Sequence, residues 1–176
     1  MGKIKKYLPV KLIFGFIYQK ESIYQRVLPF IKKHFGKIDF ESSVMPFSYT
    51  DYYLKEFGTD LKRRFISIEK PVNPADLYKI KIYTNKLEEK LSQGQRRLIN
   101  IDPGLLDLAK LILASTKDFS HRIWLNNGIF AELTLFFKDK DFQSLDWTYP
   151  DYRTEEYRYI FRQIRQIYAQ QVKGLS

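Results

Sequence analysis

The stretch NIDPGLLDLAKLILAS, residues 100–115, decides how this chain is built. Asp102 is placed to cap a helix and Pro103 suits its first turn. LLDLAKLILA then continues as a helix that is apolar on nearly every side, which is the pattern of a buried helix. It carries Asp107 and Lys110 and is too short to cross a bilayer. The segment before it, RRLINI at 96–101, reads as a strand, and the helix ends near Ser115, which leaves Thr116, Lys117 and Asp118 in a connection.

Working towards the N-terminus, Asn73, Pro74 and a helical spacing of Leu77, Ile80, Thr84, Leu87 and Leu91 mark a helix that closes by Gly94. KRRFISIE, residues 62–69, is a strand with Arg64, Ile66 and Ile68 on one face and Arg63, Phe65, Ser67 and Glu69 on the other. Residues 37–45 alternate as a half-buried strand. Between these two strands, MPFSYTDYYLKEFG is an aromatic loop with a short helix closed by Gly58. A helix is expected from about 21 to 35, with Pro29 kinking or shortening it. VKLIFGFIY, residues 10–18, is a buried strand.

Downstream, HRIWLNNGIFAELTLFF is a hairpin whose NNG turn suits a three-residue loop with Gly128 left-handed. In that register Arg122 lies opposite Glu132, while His121 shares an apolar face with Ile123, Leu125, Ile129, Ala131 and Leu133. His121 and Arg122 then point to opposite faces, so at most one enters a given cleft. Thr154 caps a last helix with Glu155 and Glu156 in its first turn, Tyr157, Ile160, Phe161, Ile164 and Tyr168 inward, and Arg158, Arg162 and Arg165 along an outer stripe. The order β-α-β-β-α-β, then helix, hairpin and helix, argues for an α+β sandwich with a ferredoxin-like beginning, an added helix and hairpin, and a C-terminal helix, in a single domain over 1–176.

Composition narrows the class. A chain of 176 residues with 44% hydrophobic and 28% charged residues is globular rather than disordered. Its 13 Tyr and 14 Phe exceed what a core absorbs, so some rings lie at the surface or line a cavity. Cysteine is absent, which removes disulfides and thiolate chemistry and fits a reducing cytosol; only two histidines stand against a zinc site. The N-terminal MGKIKKYLPVKLIFGFIYQ has an apolar run too short for a secretory signal and is better explained as a strand, so a cytoplasmic protein without a membrane span is expected. The net charge of +10 favours contact with polyanions.

No GxxxxGK[ST] loop, GxGxxG, GxSxG elbow or HExxH motif is present. Three polar stretches remain. STKDFSHRIWL, residues 115–125, joins a proton-exchanging His121 to Asp118, with Lys117 and Arg122 able to hold phosphate or carboxylate; it is equally a solvated joint between elements. In NIDPG, Asp102 could hold magnesium or act as a base, with Asn100 beside it, although capping alone explains Asp and Pro there. PDYR, residues 150–153, sets Asp151 and Arg153 among Trp147, Tyr149 and Tyr152, a mixture that could stack and orient a base or sugar, or simply make a turn. TDYY, residues 50–53, divides in the same way. The arginine stripe is a solvated face or a nucleic-acid contact.

MPFSYTDYYLKEFG (45–58), LKRRFISIEK (61–70), IKIYTNKLEEK (80–90), NIDPG, LASTKDFSHRIWL (113–125) and WTYPDYR (147–153) resemble those of a prokaryotic family known as a numbered domain of unknown function, family 4416. The resemblance covers nearly the whole chain and implies no established reaction. Some relatives carry a "GTP-binding" label; here the phosphate loop is lacking, and Thr116-Lys117-Asp118 has no spacer to make an [NT]KxD box. The polar positions 102, 117, 118, 121, 122, 151 and 153 all fall within these motifs.

The expectation is a protein that binds a nucleotide or nucleic acid in a polar, aromatic-lined cleft built by NIDPG, TKDFSHR and PDYR, with Lys117, Arg122 and Arg153 on phosphate. One alternative is a small enzyme with His121 as general acid or base and Asp102 or Asp118 orienting it or holding magnesium. The other is a protein–protein interaction module with an exposed apolar patch.

Overall fold

Lys11–Tyr18 is fully buried, with Leu12, Phe14, Phe16 and Tyr18 packed to one side and Ile13 to the other. A strand covered on both faces reads as an unbroken apolar run. This strand, β1, lies inside the sheet, with a strand on either side. The computed structural model describes residues 2–3, 7–49, 58–94 and 96–173; the TDYY motif and the short helix expected before Gly58 lie outside the described residues.

After β1 come α1 (Glu21–Phe35), β2 (Ile38–Glu41), β3 (Met45–Pro46), β4 (Lys62–Ile68), α2 (Leu77–Lys90), β5 (Ile99–Leu106), β6 (Lys110–Ser115), β7 (Arg122–Asn126), β8 (Ile129–Lys138), β9 (Asp141–Ser144) and α3 (Glu155–Val172). Among the described residues the fold is α+β: three α-helices and one nine-stranded sheet in the order β2-β4-β1-β5-β6-β8-β7. β3 pairs with β4, and β9 with β8. Each pairing is antiparallel.

Two cores form, one on each face. Tyr24, Val27 and Ile31 of α1 and Leu77, Ile80 and Leu87 of α2 close over Phe14, Phe16, Ile66 and Ile101. On the other face Tyr157, Ile160, Phe161 and Ile164 of α3 close over Ile13, Phe65, Leu111 and Leu135. Both faces of β4 follow the alternation expected from KRRFISIE. The expected caps also form: Asn73 Oδ1 accepts the Ala75 N–H at 3.0 Å, and Thr154 Oγ1 that of Tyr157 at 3.4 Å. Pro29 does not shorten α1, because it lies on the exposed side, where water reaches the carbonyl one turn back.

The helix expected after Asp102 is not formed. β5 runs straight through Asp102, Pro103 and Gly104, and the chain reverses at Asp107–Ala109 into β6. Asp107 makes that turn: its Oδ1 accepts the N–H groups of Ala109 and Lys110 at 2.7 and 2.8 Å, and its Oδ2 meets Lys110 Nζ at 2.7 Å. Strands buried on both faces accommodate an all-apolar run while the two charged residues escape at the turn. Gly104 permits the close approach, since a Cβ there would lie 2.8 Å from Leu113 Cδ2 and 2.9 Å from the Ile112 carbonyl.

The β7–β8 register puts Arg122 opposite Glu132, as expected, but by another route. Asn126 pairs with Ile129 across a two-residue turn with both Asn127 (φ 50°) and Gly128 (φ 73°) left-handed, and a bulge between Trp124 and Asn126 absorbs the extra residue. The expected apolar face is covered only in part: Ile129 lies in the core with Leu125 and Ala131 packed against it, while Ile123, on the outermost strand β7, is 71% exposed.

The arginine stripe of α3 is bound within the protein. Arg158 and Arg162 reach Asp141 at 3.0 and 2.6 Å, while Arg165 donates to the Leu108 carbonyl and lies 3.6 Å above the Phe137 ring. Burial works against the Asp141 charge, yet Arg162, the Phe142 N–H and Arg158 together hold its carboxyl below the usual aspartate value. A depressed folded pKa stabilises the fold above the unfolded value and is lost as pH falls through the folded one. Asp141→Asn is expected to cost about 1 kcal/mol in urea denaturation at neutral pH, with the difference from wild type shrinking as pH falls below 3.8 and gone only below the depressed folded pKa.

Candidate functional site

β5 and β6 are paired only from Gly104–Leu113 to Leu106–Leu111. Beyond that point they part, and the reason is local. Pro103 has no N–H with which to continue the ladder. Two residues earlier, Ile101 turns its main-chain groups to the same side and finds α2 instead of a strand: its N–H donates to Glu88 Oε1 at 2.6 Å, and its carbonyl accepts from Lys81 Nζ at 3.0 Å. Arg97 holds the other Glu88 oxygen at 2.9 Å. Burial pushes the Glu88 carboxyl above its usual range against the pull of Lys81, the Ile101 N–H and Arg97. Two buried side chains thus occupy the position of a missing strand.

A cleft of about 630 Å³ opens in this gap. Its floor is Arg63, a guanidinium only 1% exposed and set among the rings of Phe65, Tyr152, Tyr157 and Phe47, with ring centroids 4.6–5.9 Å away. Arg63 Nη2 donates to the Tyr152 hydroxyl at 2.5 Å. Asp102 lies 3.6 Å from Nη1 and Asp151 lies 3.8 Å from Nη2, whereas Nε and Nη1 have no hydrogen-bond partner among the described residues. Burial alone would lower the Arg63 pKa; Tyr152, Tyr157, Asp151 and Asp102 outweigh it and raise the pKa above the ordinary arginine value. Burial raises the Asp151 carboxyl above its usual range, opposed by Arg63. Gly15 of β1 makes the room, since a Cβ there would meet the Phe65 ring at 2.9 Å and Arg63 Nη2 at 3.1 Å.

Five of the eight residues singled out from sequence line this cleft: Asn100, Asp102, Lys117, Arg122 and Asp151. Asn100 Nδ2 donates to Asp102 Oδ2 at 2.7 Å, so Asp102 is oriented by its neighbour and caps no helix. Arg122 is buried and fully engaged. It donates to Glu132 at 2.8 Å, to Ser115 Oγ at 2.8 Å, to the Lys117 carbonyl at 2.9 Å and to the Tyr149 hydroxyl at 2.7 Å, and so ties the three walls together.

His121, Asp118 and Arg153 do not line it. Arg153 closes the turn before α3 through the carbonyls of Thr148 and Asp146. Asp118 is exposed in the β6–β7 connection. The His121 ring stacks between Phe119 and Trp147, and its Nε2 lies 3.2 Å from Glu132 Oε2, the oxygen that Arg122 also holds. The expectation that His121 and Arg122 point apart fails because His121 precedes β7, where strand alternation does not govern its direction. Its carboxylate partner is Glu132 rather than Asp102 or Asp118.

Arg63, Lys81 and Glu88 were not singled out from sequence. Arg63 could have been flagged as a charge sharing a strand face with Phe65, and Lys81 and Glu88 as charges seven residues apart beside the inward stripe of α2. Among the described residues no group of three His, Cys, Asp or Glu is placed to hold a metal ion, and no helix is long and apolar enough to cross a membrane. No curated protein and no solved structure matches the chain. The model of one family does, over residues 8–168, and the chain accordingly belongs to the family described as Domain of unknown function (DUF4416).

Proposed function

We propose that the gap between β5 and β6 binds a phosphate-bearing ligand of mononucleotide size. The observation that carries this reading is convergence: segments at 100–102, 115–122 and 149–152, distant in sequence, line one cleft together with the rings of Phe47, Tyr49, Tyr149 and Tyr152. About 630 Å³ suits a small ligand rather than a polymer. Basic and acidic side chains line the cleft in equal number, five each, so its field favours one phosphate over a polyphosphate chain. Lys117, exposed at the rim, is the phosphate contact in this reading, and the tyrosine rings flank the base.

Titration calorimetry at low salt tests it. A nucleoside monophosphate is expected to bind, Lys117→Ala to weaken binding about tenfold, and a single-stranded oligonucleotide to bind no more tightly than the monomer. Absence of heat with every nucleoside monophosphate at millimolar concentration sinks the proposal.

A second reading, acid–base catalysis on the bound ligand, draws support from Asp151, whose carboxyl is raised above its usual range by burial against the opposing pull of Arg63, 3.8 Å away. Under it Asp151→Asn abolishes turnover while leaving affinity intact. We also read the first half of the single domain as ferredoxin-like, a reading supported by the order β2-β4-β1-β5 with alternating strand directions.

A further inference from the structure

The hydrogen-bonding phase of β5 and β6 can be followed residue by residue into the cleft. Asp107 N–H bonds the Lys110 carbonyl at 3.0 Å, and Leu105 faces Ile112 two residues further on in the same phase. The next pair in that series is Pro103 with Ala114. Pro103 can accept the Ala114 N–H but has no hydrogen to return, so the Ala114 carbonyl faces a nitrogen that cannot donate. The pair after that would need Ile101, whose groups Glu88 and Lys81 already hold. No side chain of the described residues donates to Ala114, which is 5% exposed and lines the cleft. Buried main-chain carbonyls are rarely left without a donor.

We infer that the cleft ligand supplies the missing donor, and that the main-chain edge of β6 at Ala114 therefore selects a planar heterocycle carrying an amino group over one carrying a keto oxygen at the same position. The inference rests on the mononucleotide reading and adds its specificity. An amino N–H directed at the Ala114 carbonyl completes a hydrogen bond. A keto oxygen there sets acceptor against acceptor, and both lose their water. Selection by main chain leaves no conspicuous side chain in the sequence, which is why NIDPG displays a proline where a specificity residue would be sought.

The experiment compares adenosine with inosine monophosphate, and cytidine with uridine monophosphate, by calorimetry on the whole protein and on Pro103→Ala. Wild type is expected to prefer the amino partner of at least one pair by about tenfold or more. Pro103→Ala restores a main-chain N–H opposite the Ala114 carbonyl and is expected to reduce that preference to less than about threefold while keeping the circular dichroism of the native fold. Equal affinities in wild type mean that water alone satisfies the carbonyl, and overturn the inference without touching the mononucleotide reading. A preference retained in Pro103→Ala overturns it as well. If none of the four nucleotides binds wild type, both fall together.

Discussion

Arg63→Met is expected to destabilise the protein by about 3–5 kcal/mol, the range seen when one member of a buried charge cluster is removed. The side chain is 1% exposed and, among the described residues, supplies the only cation within 4 Å of Asp151, itself 6% exposed. Methionine fills much of the space between the rings of Phe65 and Tyr152, so the loss falls on electrostatics rather than on a cavity. The effect should depend on pH, and the sign follows from Asp151. Burial already raises its folded pKa against the opposing pull of Arg63, so removing Arg63 raises it further. A carboxyl raised in the folded state favours folding below its unfolded value and loses that contribution as pH climbs through the folded one. Urea denaturation should therefore find Arg63→Met closer to wild type at pH 5 than at pH 8, and Asp151→Asn in the same chain should recover part of the loss at pH 8. A loss that is the same at both pH values would assign Arg63 to packing alone.

Glu88→Ala should cost a comparable amount, about 3 kcal/mol or more, because three groups lose a buried partner at once. The Ile101 N–H loses its acceptor, and Lys81 and Arg97 lose a buried counter-charge. Glu88→Gln keeps an oxygen for the Ile101 N–H and should lose only about 1–2 kcal/mol. Amide hydrogen exchange separates these outcomes: Ile101 should exchange far faster in Glu88→Ala than in Glu88→Gln. Equal protection of Ile101 in both variants would show that Glu88 does not stand in for a strand.

These two effects lie where sequence reading was weakest. The alternation of β4, the apolar run of β1, the capping of α2 and α3 and the Arg122–Glu132 register are local patterns and were legible. LLDLAKLILA was not, because a ten-residue run with eight apolar residues satisfies a helix and a hairpin alike when either is buried all round, and periodicity cannot separate them. The informative residues were the punctuating ones. Asp107, with its side chain placed to bond the N–H groups two and three positions on, is turn chemistry, and Pro103 is a strand residue that ends a ladder rather than a helix start. β9 escaped notice because its turn uses Asp139 and Lys140 at positive φ without a glycine.

Of the eight polar residues singled out, five line the cleft: Lys117, Arg122 and Asp151 stand at a strand end or turn, where polar side chains stand out, whereas Asn100 and Asp102 lie inside β5 and drew notice through a helix cap that does not form. Arg63, Lys81 and Glu88 were hidden inside regular elements. Their setting depends on partners twenty or more residues away, Asp102 at 3.6 Å from Lys81 and Asp151 at 3.8 Å from Arg63, and on a missing strand neighbour for Glu88. None of that is encoded in the residue's own surroundings in sequence.

In the proposed reading, the sheet is held open between β5 and β6 to receive a ligand. Backbone amide chemical shifts recorded while adenosine monophosphate is titrated into the isotopically labelled protein test it most directly. Saturable shifts are expected, concentrated at Ile101, Asp102 and Ala114 to Lys117 and absent from β2 and β9. No shifts at millimolar ligand, or shifts confined to the exposed face of β7 around Ile123 and Trp124, would contradict it.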